Sequence, residues 1–196
     1  MIALLLAAAI AATPTDNLAA YITKAQPKAK TYALPLARAI IAEGAAHGIR
    51  PEVLAAIAWL ESNFRRGVGS VPEGSTGLYQ LRYRDAAIPR AWEALRKAGR
   101  VPGYPKASWW RIGRTAQTRA LRDPAISTYL VAVELVNALR VCRRLGHRIG
   151  RGGRPWHRHR DRFAALGHYQ SGIGWPSLGY TWQLRRRSAV IRAAIQ

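Results

Sequence analysis

The sequence predicts an all-α, mostly α-helical domain, and three observations lead to that prediction. Apolar residues recur at helical spacing over 35–47 and 52–63, where Leu36, Ile40 and Ile41 mark one face. No segment alternates apolar and polar residues as a half-buried strand does. The chain has 196 residues, 49% of them hydrophobic, which is enough apolar material for the core of one domain and excludes a wholly disordered chain.

Proline, glycine and aspartate residues mark the expected helix ends. Gly48 suits a left-handed C-terminal stop, and Pro51 suits the first turn of the helix that follows. Asp123 and Pro124 form an N-cap and first-turn pair for the strongest helical pattern in the chain. The predicted helices cover 35–47, 52–63, 86–99, 125–145 and 162–169, with an irregular aromatic-rich segment over 100–122.

The N-terminal segment has the composition of an export signal. Residues 2–12 form an unbroken apolar run, which is too short to cross a bilayer but typical of the core of a signal peptide. Ala9 and Ala11 are small residues at cleavable positions. We therefore expect 1–12 to be a signal peptide and the protein to be exported to the periplasm or cell envelope. The alternative is an Ala/Leu-rich terminal helix that packs on the domain.

The charge of the chain implies an anionic partner. There are 31 Lys and Arg residues against 10 Asp and Glu residues, which gives a net charge of +21. Nucleic acid, an anionic membrane surface and an anionic cell-wall polymer all satisfy this requirement. The segment 140–162 alone contains nine arginines and one acid, Asp161, and is interpreted either as a docking surface or as a solvated basic face.

Glu61 is the carboxylate best placed for acid–base chemistry. It stands near the end of an apolar helix, with Ile57 and Ala58 on its own face. Burial and the negative end of the helix dipole both disfavour the charged form, so the predicted pKa of Glu61 is raised, as a general acid requires. The alternative is a solvated glutamate that pairs with Arg65 or Arg66.

Three sequence blocks, in this order, resemble the soluble lytic transglycosylase (SLT) domain of the lysozyme superfamily. The first is the Glu61-Ser62 pair, which matches the Glu-Ser pair that ends an apolar helix in that family. The second block, residues 77–80, matches the family's Gly-Leu-Met-Gln motif, with Tyr in place of Met. The third block, residues 168–174, matches the family's Ala-Tyr-Asn-Ala-Gly-x-Gly motif, with Gln-Ser in place of Asn-Ala. The blocks read Gly77-Leu78-Tyr79-Gln80 and His168-Tyr169-Gln170-Ser171-Gly172-Ile173-Gly174.

The resemblance implies a lysozyme-like fold and a peptidoglycan lytic transglycosylase. Glu61 would be the acid/base that cleaves the bond between N-acetylmuramic acid and N-acetylglucosamine and leaves 1,6-anhydro ends. This chemistry needs one carboxylate and no cofactor, and the Arg-rich surroundings of the histidines predict no metal site. The residues implied to contact the glycan strand are Ser62, Gly77, Leu78, Tyr79, Gln80, Tyr169 and Gln170.

The resemblance also predicts where the domain and the segments around it begin and end. An SLT-like catalytic domain is expected over 34–182, with insertions near 84–122 and 146–161. A linker or lead-in is expected over 13–33, and a basic tail over 183–196.

Alternative functions follow from other residues. Glu73 or Asp85 would supply the second carboxylate of a lysozyme-type hydrolase of the same bond. The plainer interpretations are that Glu73 is an acid of a solvated loop and that Asp85 caps a helix that begins at Ala86. The arginines of 140–162 would serve a basic nucleic-acid-binding module, but no helix-turn-helix or zinc-finger signature accompanies them. A non-catalytic cell-wall binder is the third alternative.

Aromatic residues past the second block have two interpretations. Tyr104, Trp109 and Trp110 would either stack on sugar rings or anchor an insertion to the core. Trp175 and Trp182 have the same two interpretations.

Overall fold

The computed structural model describes residues 12–70, 74–84, 87–146 and 178–196. These residues are mostly helical, which confirms the predicted all-α class. The predicted signal segment, most of the arginine-rich run, the predicted helix over 162–169 and the third motif block fall outside them. No helix among the described residues is long and apolar enough to cross a membrane.

Seven α-helices and a small antiparallel sheet make up the described chain. The sheet has the strand order β1-β2-β3, with Ser70 opposite Ser75 and Thr76 opposite Leu81. A single 3-10 turn, Pro27–Ala29, joins the first two helices. The elements are α1 (Pro14–Ala25), α2 (Ala33–His47), α3 (Pro51–Ser62), β1 (Gly69–Ser70), β2 (Ser75–Thr76), β3 (Leu81–Arg82), α4 (Ile88–Lys97), α5 (Gly113–Arg122), α6 (Pro124–Gly146) and α7 (Leu178–Ile195).

Helix α3 is packed between α2 and α7. Residues 53–58 are all buried, because α2 packs on one side of the helix and α7 on another. Helix α2 in turn packs against α1 and α6. A helix that is buried on most sides has apolar residues around most of its circumference, which explains the run of Ala, Leu and Ile in the sequence of α3.

The predicted caps at Gly48 and Asp123 are confirmed. Gly48 ends α2 in the left-handed conformation, with φ of 63°. The Oδ1 atom of Asp123 accepts hydrogen bonds from the backbone N–H groups of Ala125 and Ile126, both at 2.9 Å. These contacts satisfy backbone donors that the first turn of α6 leaves without helical partners.

The segment 13–33, expected to be a linker or lead-in, is helical and packed on the domain, so it is not a linker. Thr13 and Asp16 form a capping box at the start of α1, and hydrogen bonds from Thr13 lower the pKa of Asp16. Leu18 and Ile22 lie one turn apart and are fully buried. Ala19, Tyr21 and Ala25 are only partly buried, so two positions carry the stripe, and the surrounding Asp, Asn, Thr and Lys residues gave the segment the composition of a linker.

The basic tail predicted over 183–196 belongs instead to helix α7. Leu184 and Ile191 are fully buried, seven residues apart on one face. On another part of the helix the Arg187 guanidinium lies 3.3 Å from the ring centroid of Trp59 in α3. The Nε atom of Arg192 donates to the buried carboxylate of Glu52 at 2.9 Å. The arginines that suggested a solvated tail therefore help to hold α7 on α3.

Replacing Leu184 with alanine is expected to lower the free energy of unfolding by about 3 kcal/mol, because the substitution opens a cavity between α7 and the core. Urea denaturation followed by circular dichroism measures this loss. Val190 is the matched control, since it is on the same helix and half-exposed, and Val190→Ala should change the stability by less than about 0.5 kcal/mol. Equal effects of the two substitutions would mean that α7 does not pack as described.

Three other local predictions need correction. The segment 100–122 is not irregular throughout, because its second half forms α5. Helix α4 begins at Ile88 rather than Ala86, and its N-cap position is Ala87, which provides no side-chain cap. The strands were not predicted because each has two residues, too few for an alternating pattern. Asp85, predicted to cap this helix, lies outside the described residues.

Candidate functional site

Glu61 lies in the last turn of α3, and its side chain is partly exposed. The helix stops directly after Ser62 because Asn63 and Phe64 both adopt left-handed backbone conformations, with φ of 51° and 58°. The Asn63 N–H group donates to the Trp59 carbonyl at 2.7 Å and so closes the last turn. Glu61 therefore lies at the solvent-accessible end of a helix whose preceding turns are buried.

The two arginines proposed as alternative partners of Glu61 contact other groups. The Nε atom of Arg65 donates to the backbone carbonyl of Ser62 at 3.0 Å. The guanidinium of Arg66 lies over the ring of Tyr32, 4.9 Å from its centroid. Both contacts stabilise the turn that follows α3.

Residues before α2 hold the end of α3 in place. The Tyr32 hydroxyl donates to the Phe64 carbonyl at 2.7 Å in a buried hydrogen bond. The side-chain amide of Gln26 donates to the Asn63 carbonyl at 3.3 Å. Sequence reasoning missed both residues, because a lone Tyr or Gln in a polar segment carries no signal of a partner more than 30 positions away.

Ser62 connects the end of α3 to the second motif block. Its buried Oγ atom lies 2.8 Å from the Leu78 carbonyl oxygen and 2.9 Å from the Ala58 carbonyl oxygen, and it donates its proton to this pair of acceptors. The structure therefore brings the Glu61-Ser62 pair next to the 77–80 turn, which consists of Gly77, Leu78, Tyr79 and Gln80. Ser62 itself is enclosed, so its contact with the turn is a structural one.

Replacing Ser62 with alanine is expected to destabilise the protein by about 1–3 kcal/mol, because the buried Leu78 carbonyl loses its side-chain donor. Thermal unfolding of the purified variant measures the effect. Thr23→Ala is the control, since within the described residues the Thr23 hydroxyl donates to the Ala19 carbonyl of its own helix and to no distant segment, and its removal should change the stability far less. A Ser62 variant as stable as the Thr23 variant would contradict the proposed link.

Gly77 allows the 77–80 turn to approach α5 closely. Its φ is +84°, and a Cβ atom at this position would stand 2.0 Å from the carbonyl oxygen of Leu121. No side chain fits in that space. The glycine of the motif is therefore required by packing in this chain.

Leu78 and Tyr79 are buried, so neither side chain is available to a ligand. The Tyr79 hydroxyl pairs with the Thr128 hydroxyl of α6 at 3.1 Å, and burial raises the pKa of Tyr79. Tyr79, which stands where the similar motif of lytic transglycosylases has methionine, thus anchors the turn to α6. It does not form part of an exposed cleft floor.

Gln80 is the partly exposed member of the turn, and its amide is held by the protein. Its Nε2 atom donates to the Gly77 carbonyl at 2.9 Å and to the Val68 carbonyl at 3.2 Å. Its Oε1 atom accepts from the Ser75 hydroxyl at 3.2 Å. Gln80 therefore joins the turn to the strands beside it, and the φ of 48° at this residue is maintained by these bonds.

Comparisons of the chain with family models, curated proteins and solved structures find no match. The likeness to lytic transglycosylases therefore depends on the three motif blocks themselves. Two of these blocks, which contain Glu61-Ser62 and the 77–80 turn, lie in contact. Tyr169 and Gln170 of the third block lie outside the described residues, as does Glu73.

Several other carboxylates of the described chain have structural partners. Asp16 and Asp123 cap helices, while the acids at 43, 52 and 93 pair with arginines. The buried Glu43 pairs with Arg100 and also lies 3.4 Å from the Nδ1 atom of His47. No group of three or more His, Cys, Asp or Glu side chains suited to a metal ion occurs among the described residues.

The structure distinguishes the aromatic residues by their burial. Trp109 is fully buried, and its Nε1 atom donates to the Tyr83 carbonyl at 2.9 Å. Tyr104 packs edge-to-face on Trp92, with 5.4 Å between the ring centroids. Trp109 and Tyr104 therefore anchor the segment between α4 and α5 to the core. Trp110 and Trp182 are 60% and 59% exposed, and Trp175 lies outside the described residues.

Proposed function

We propose that this chain is a peptidoglycan lytic transglycosylase, with Glu61 as its catalytic acid and base. The observation that carries the proposal is the buried hydrogen bond from Ser62 to the Leu78 carbonyl. This bond joins two blocks of the lytic transglycosylase pattern that are 16 residues apart in the chain. It also places Ser62, the chain neighbour of Glu61, against the 77–80 turn, which Gly77 in turn packs closely on α5.

The chemistry of the proposal uses a single carboxylate. Protonated Glu61 donates its proton to the oxygen of the β-1,4 bond between N-acetylmuramic acid and N-acetylglucosamine, and this bond breaks. The resulting carboxylate then accepts the proton of the 6-hydroxyl of the muramic acid. That hydroxyl oxygen bonds to the anomeric carbon and closes a 1,6-anhydro ring.

A lysozyme-type hydrolase, in contrast, would need a second carboxylate or a positioned water. In the described chain, five other acids form helix caps or ion pairs, namely Asp16, Glu43, Glu52, Glu93 and Asp123. The described chain has one further acid besides Glu61, namely Glu134 in α6. The one-carboxylate reaction, in which the nucleophile belongs to the substrate, requires no second acid.

The same proposal includes an exported enzyme that works in the periplasm or cell envelope. Its net charge of +21 favours binding to anionic material, and the arginines of 140–162 would dock on an anionic wall polymer or membrane surface. Nucleic acid is the less favoured partner, because peptidoglycan is the substrate that the motif residues indicate.

Mass spectrometry of the products tests the proposed function. Purified peptidoglycan treated with the full chain should release fragments with 1,6-anhydro ends, which are lighter than the hydrolysed fragments by one water molecule. Reducing ends would identify a lysozyme-type hydrolase instead. An absence of cleavage, together with DNA binding at physiological salt that depends on the arginines of 143–160, would favour the nucleic-acid-binding alternative.

A further inference from the structure

A cleft of about 200 Å³ lies between the small sheet and helix α5. Its lining includes Gly74, the hydroxyl residues Ser75 and Thr76, and two arginines of α5, Arg114 and Arg122. No carboxylate occurs among the described residues that line it. The lining therefore offers hydrogen-bond donors and positive charge to a ligand.

The Arg114 guanidinium is held on a fixed aromatic ring. Its Cζ atom lies 3.2 Å from the ring centroid of Tyr83, and the Tyr83 hydroxyl pairs with the Thr118 hydroxyl at 3.0 Å. Gly74 lies beside the guanidinium, since a Cβ atom at this position would stand 3.4 Å from Arg114 Nη2. Stacking of this kind orients the planar fork without using its N–H donors.

Arg122 approaches the cleft from the end of α5. Its Nε atom donates to the Thr76 hydroxyl at 3.3 Å, and its Nη2 atom lies 3.4 Å from the Gly67 carbonyl. Both bonds are long, and neither Arg122 nor Arg114 forms an ion pair with any acid of the described chain. Two guanidinium groups that share one cleft repel each other, and an anion between them would relieve that repulsion.

We infer that this arginine cleft binds a carboxylate of the peptide stem that peptidoglycan carries on N-acetylmuramic acid. The inference rests on the proposed function, since the stem belongs to the sugar whose bond Glu61 would cleave. The planar guanidinium fork suits a carboxylate, and hydroxyl groups complete the donor set. The cleft is smaller than the roughly 300–1,000 Å³ of sites that enclose a whole small molecule, so it suits one arm of a larger polymer.

The cleft is connected to the end of α3 through the backbone. Gly67 and Gly69 of its lining follow Glu61 by a few residues, and the Gly77 N–H group donates to the Val68 carbonyl at 2.8 Å. The strands that line the cleft and the 77–80 turn are thus parts of one hydrogen-bonded loop. A glycan strand bound at Glu61 could place its peptide stem along this loop.

Binding of soluble fragments to the full chain tests the inference without requiring cleavage. The probes are the N-acetylglucosamine–N-acetylmuramic acid disaccharide with its tetrapeptide stem and the same disaccharide without a peptide, its lactyl carboxyl converted to the neutral amide. Neither contains the bond proposed to be cleaved, so calorimetric titration measures binding alone. The peptide-bearing probe should bind the wild-type protein at least about tenfold more tightly, because it adds charge-assisted hydrogen bonds.

Arg114→Gln should remove most of this tenfold preference, and Arg122→Lys, which keeps the charge but loses the fork, should reduce it as well. Arg111→Gln is the matched control, because Arg111 is exposed, lies outside the cleft and carries the same charge. Equal affinities of the wild-type protein for the two probes, or equal losses in the Arg114 and Arg111 variants, would overturn the inference.

The two proposals fail in different ways. If the wild-type protein prefers the peptide-bearing probe but cleaves no peptidoglycan, the result supports carboxylate binding in the cleft and contradicts the proposed transglycosylase activity. If the protein releases anhydromuropeptides but binds both probes equally, the result supports the proposed transglycosylase activity and contradicts carboxylate binding in the cleft.

Discussion

Replacing Glu61 with glutamine is expected to lower the release of anhydromuropeptides from purified peptidoglycan by about a hundredfold to ten-thousandfold. The amide has nearly the same shape as the carboxylic acid, but it cannot donate a proton to the glycosidic oxygen or accept one from the 6-hydroxyl. The last turn of α3 should be unaffected, because the backbone bonds of Asn63 and Phe64 hold it. Quantitative mass spectrometry measures the activity, and circular dichroism with thermal unfolding checks the fold.

Glu93→Gln provides the matched control. Glu93 is a partly exposed residue of α4 that pairs with Arg96 on its own helix at 2.8 Å, so the same chemical change there should alter activity by less than roughly twofold. Full activity of a folded Glu61→Gln variant would exclude the proposed mechanism. An equal loss in both variants would indicate a general effect of lost negative charge.

Gly77→Ala is expected to produce the largest loss of stability, more than about 4 kcal/mol. The added Cβ atom would lie 2.0 Å from the Leu121 carbonyl oxygen, and no rotation of a side chain can relieve a clash with backbone. The turn would have to separate from α5, which would also break the Ser62 and Tyr79 contacts. Chemical denaturation measures the loss, and poor yield of soluble protein would accompany it.

Gly99→Ala distinguishes the clash from backbone strain. Gly99 also has a positive φ, +67°, but nothing lies within 4 Å of the Cβ position. This variant should lose only the roughly 1–2 kcal/mol that a left-handed conformation costs an L-residue. Similar losses at the two positions would mean that the close approach of Gly77 to Leu121 has no energetic weight.

The sequence predicted those helices whose signals are local. Gly48 and Asp123 act within one turn of themselves, so α2 and α6 begin or end near the expected positions. The first and last helices of the described chain, α1 and α7, were missed because their fully buried faces are narrow. Leu184 and Ile191 are separated by arginines, and only the tertiary contacts of those arginines with α3 show that they pack on the fold.

The structure brings Ser62 of the first motif block next to the 77–80 turn of the second, but it gives some of the predicted site residues other roles than expected. The motif blocks named Ser62 and Tyr79 as residues in contact with the glycan strand, whereas in the structure their side chains are buried and hold the 77–80 turn. Sequence spacing cannot distinguish these roles, since the partner of Tyr79 is Thr128, 49 residues away. The arginine cleft was missed for the same reason, because α5 and the strands meet only in the folded protein.

Under the proposed function, the contacts that hold the 77–80 turn also affect the thermodynamics of glycan binding. Ser62, Thr128 and the backbone of α5 fix this turn from three directions before any ligand is present. A preorganised loop loses little conformational entropy when it binds, so most of the interaction energy with a glycan remains available as affinity. Binding at this face should therefore proceed as a rigid-body association, with a heat-capacity change no larger than the contact area accounts for.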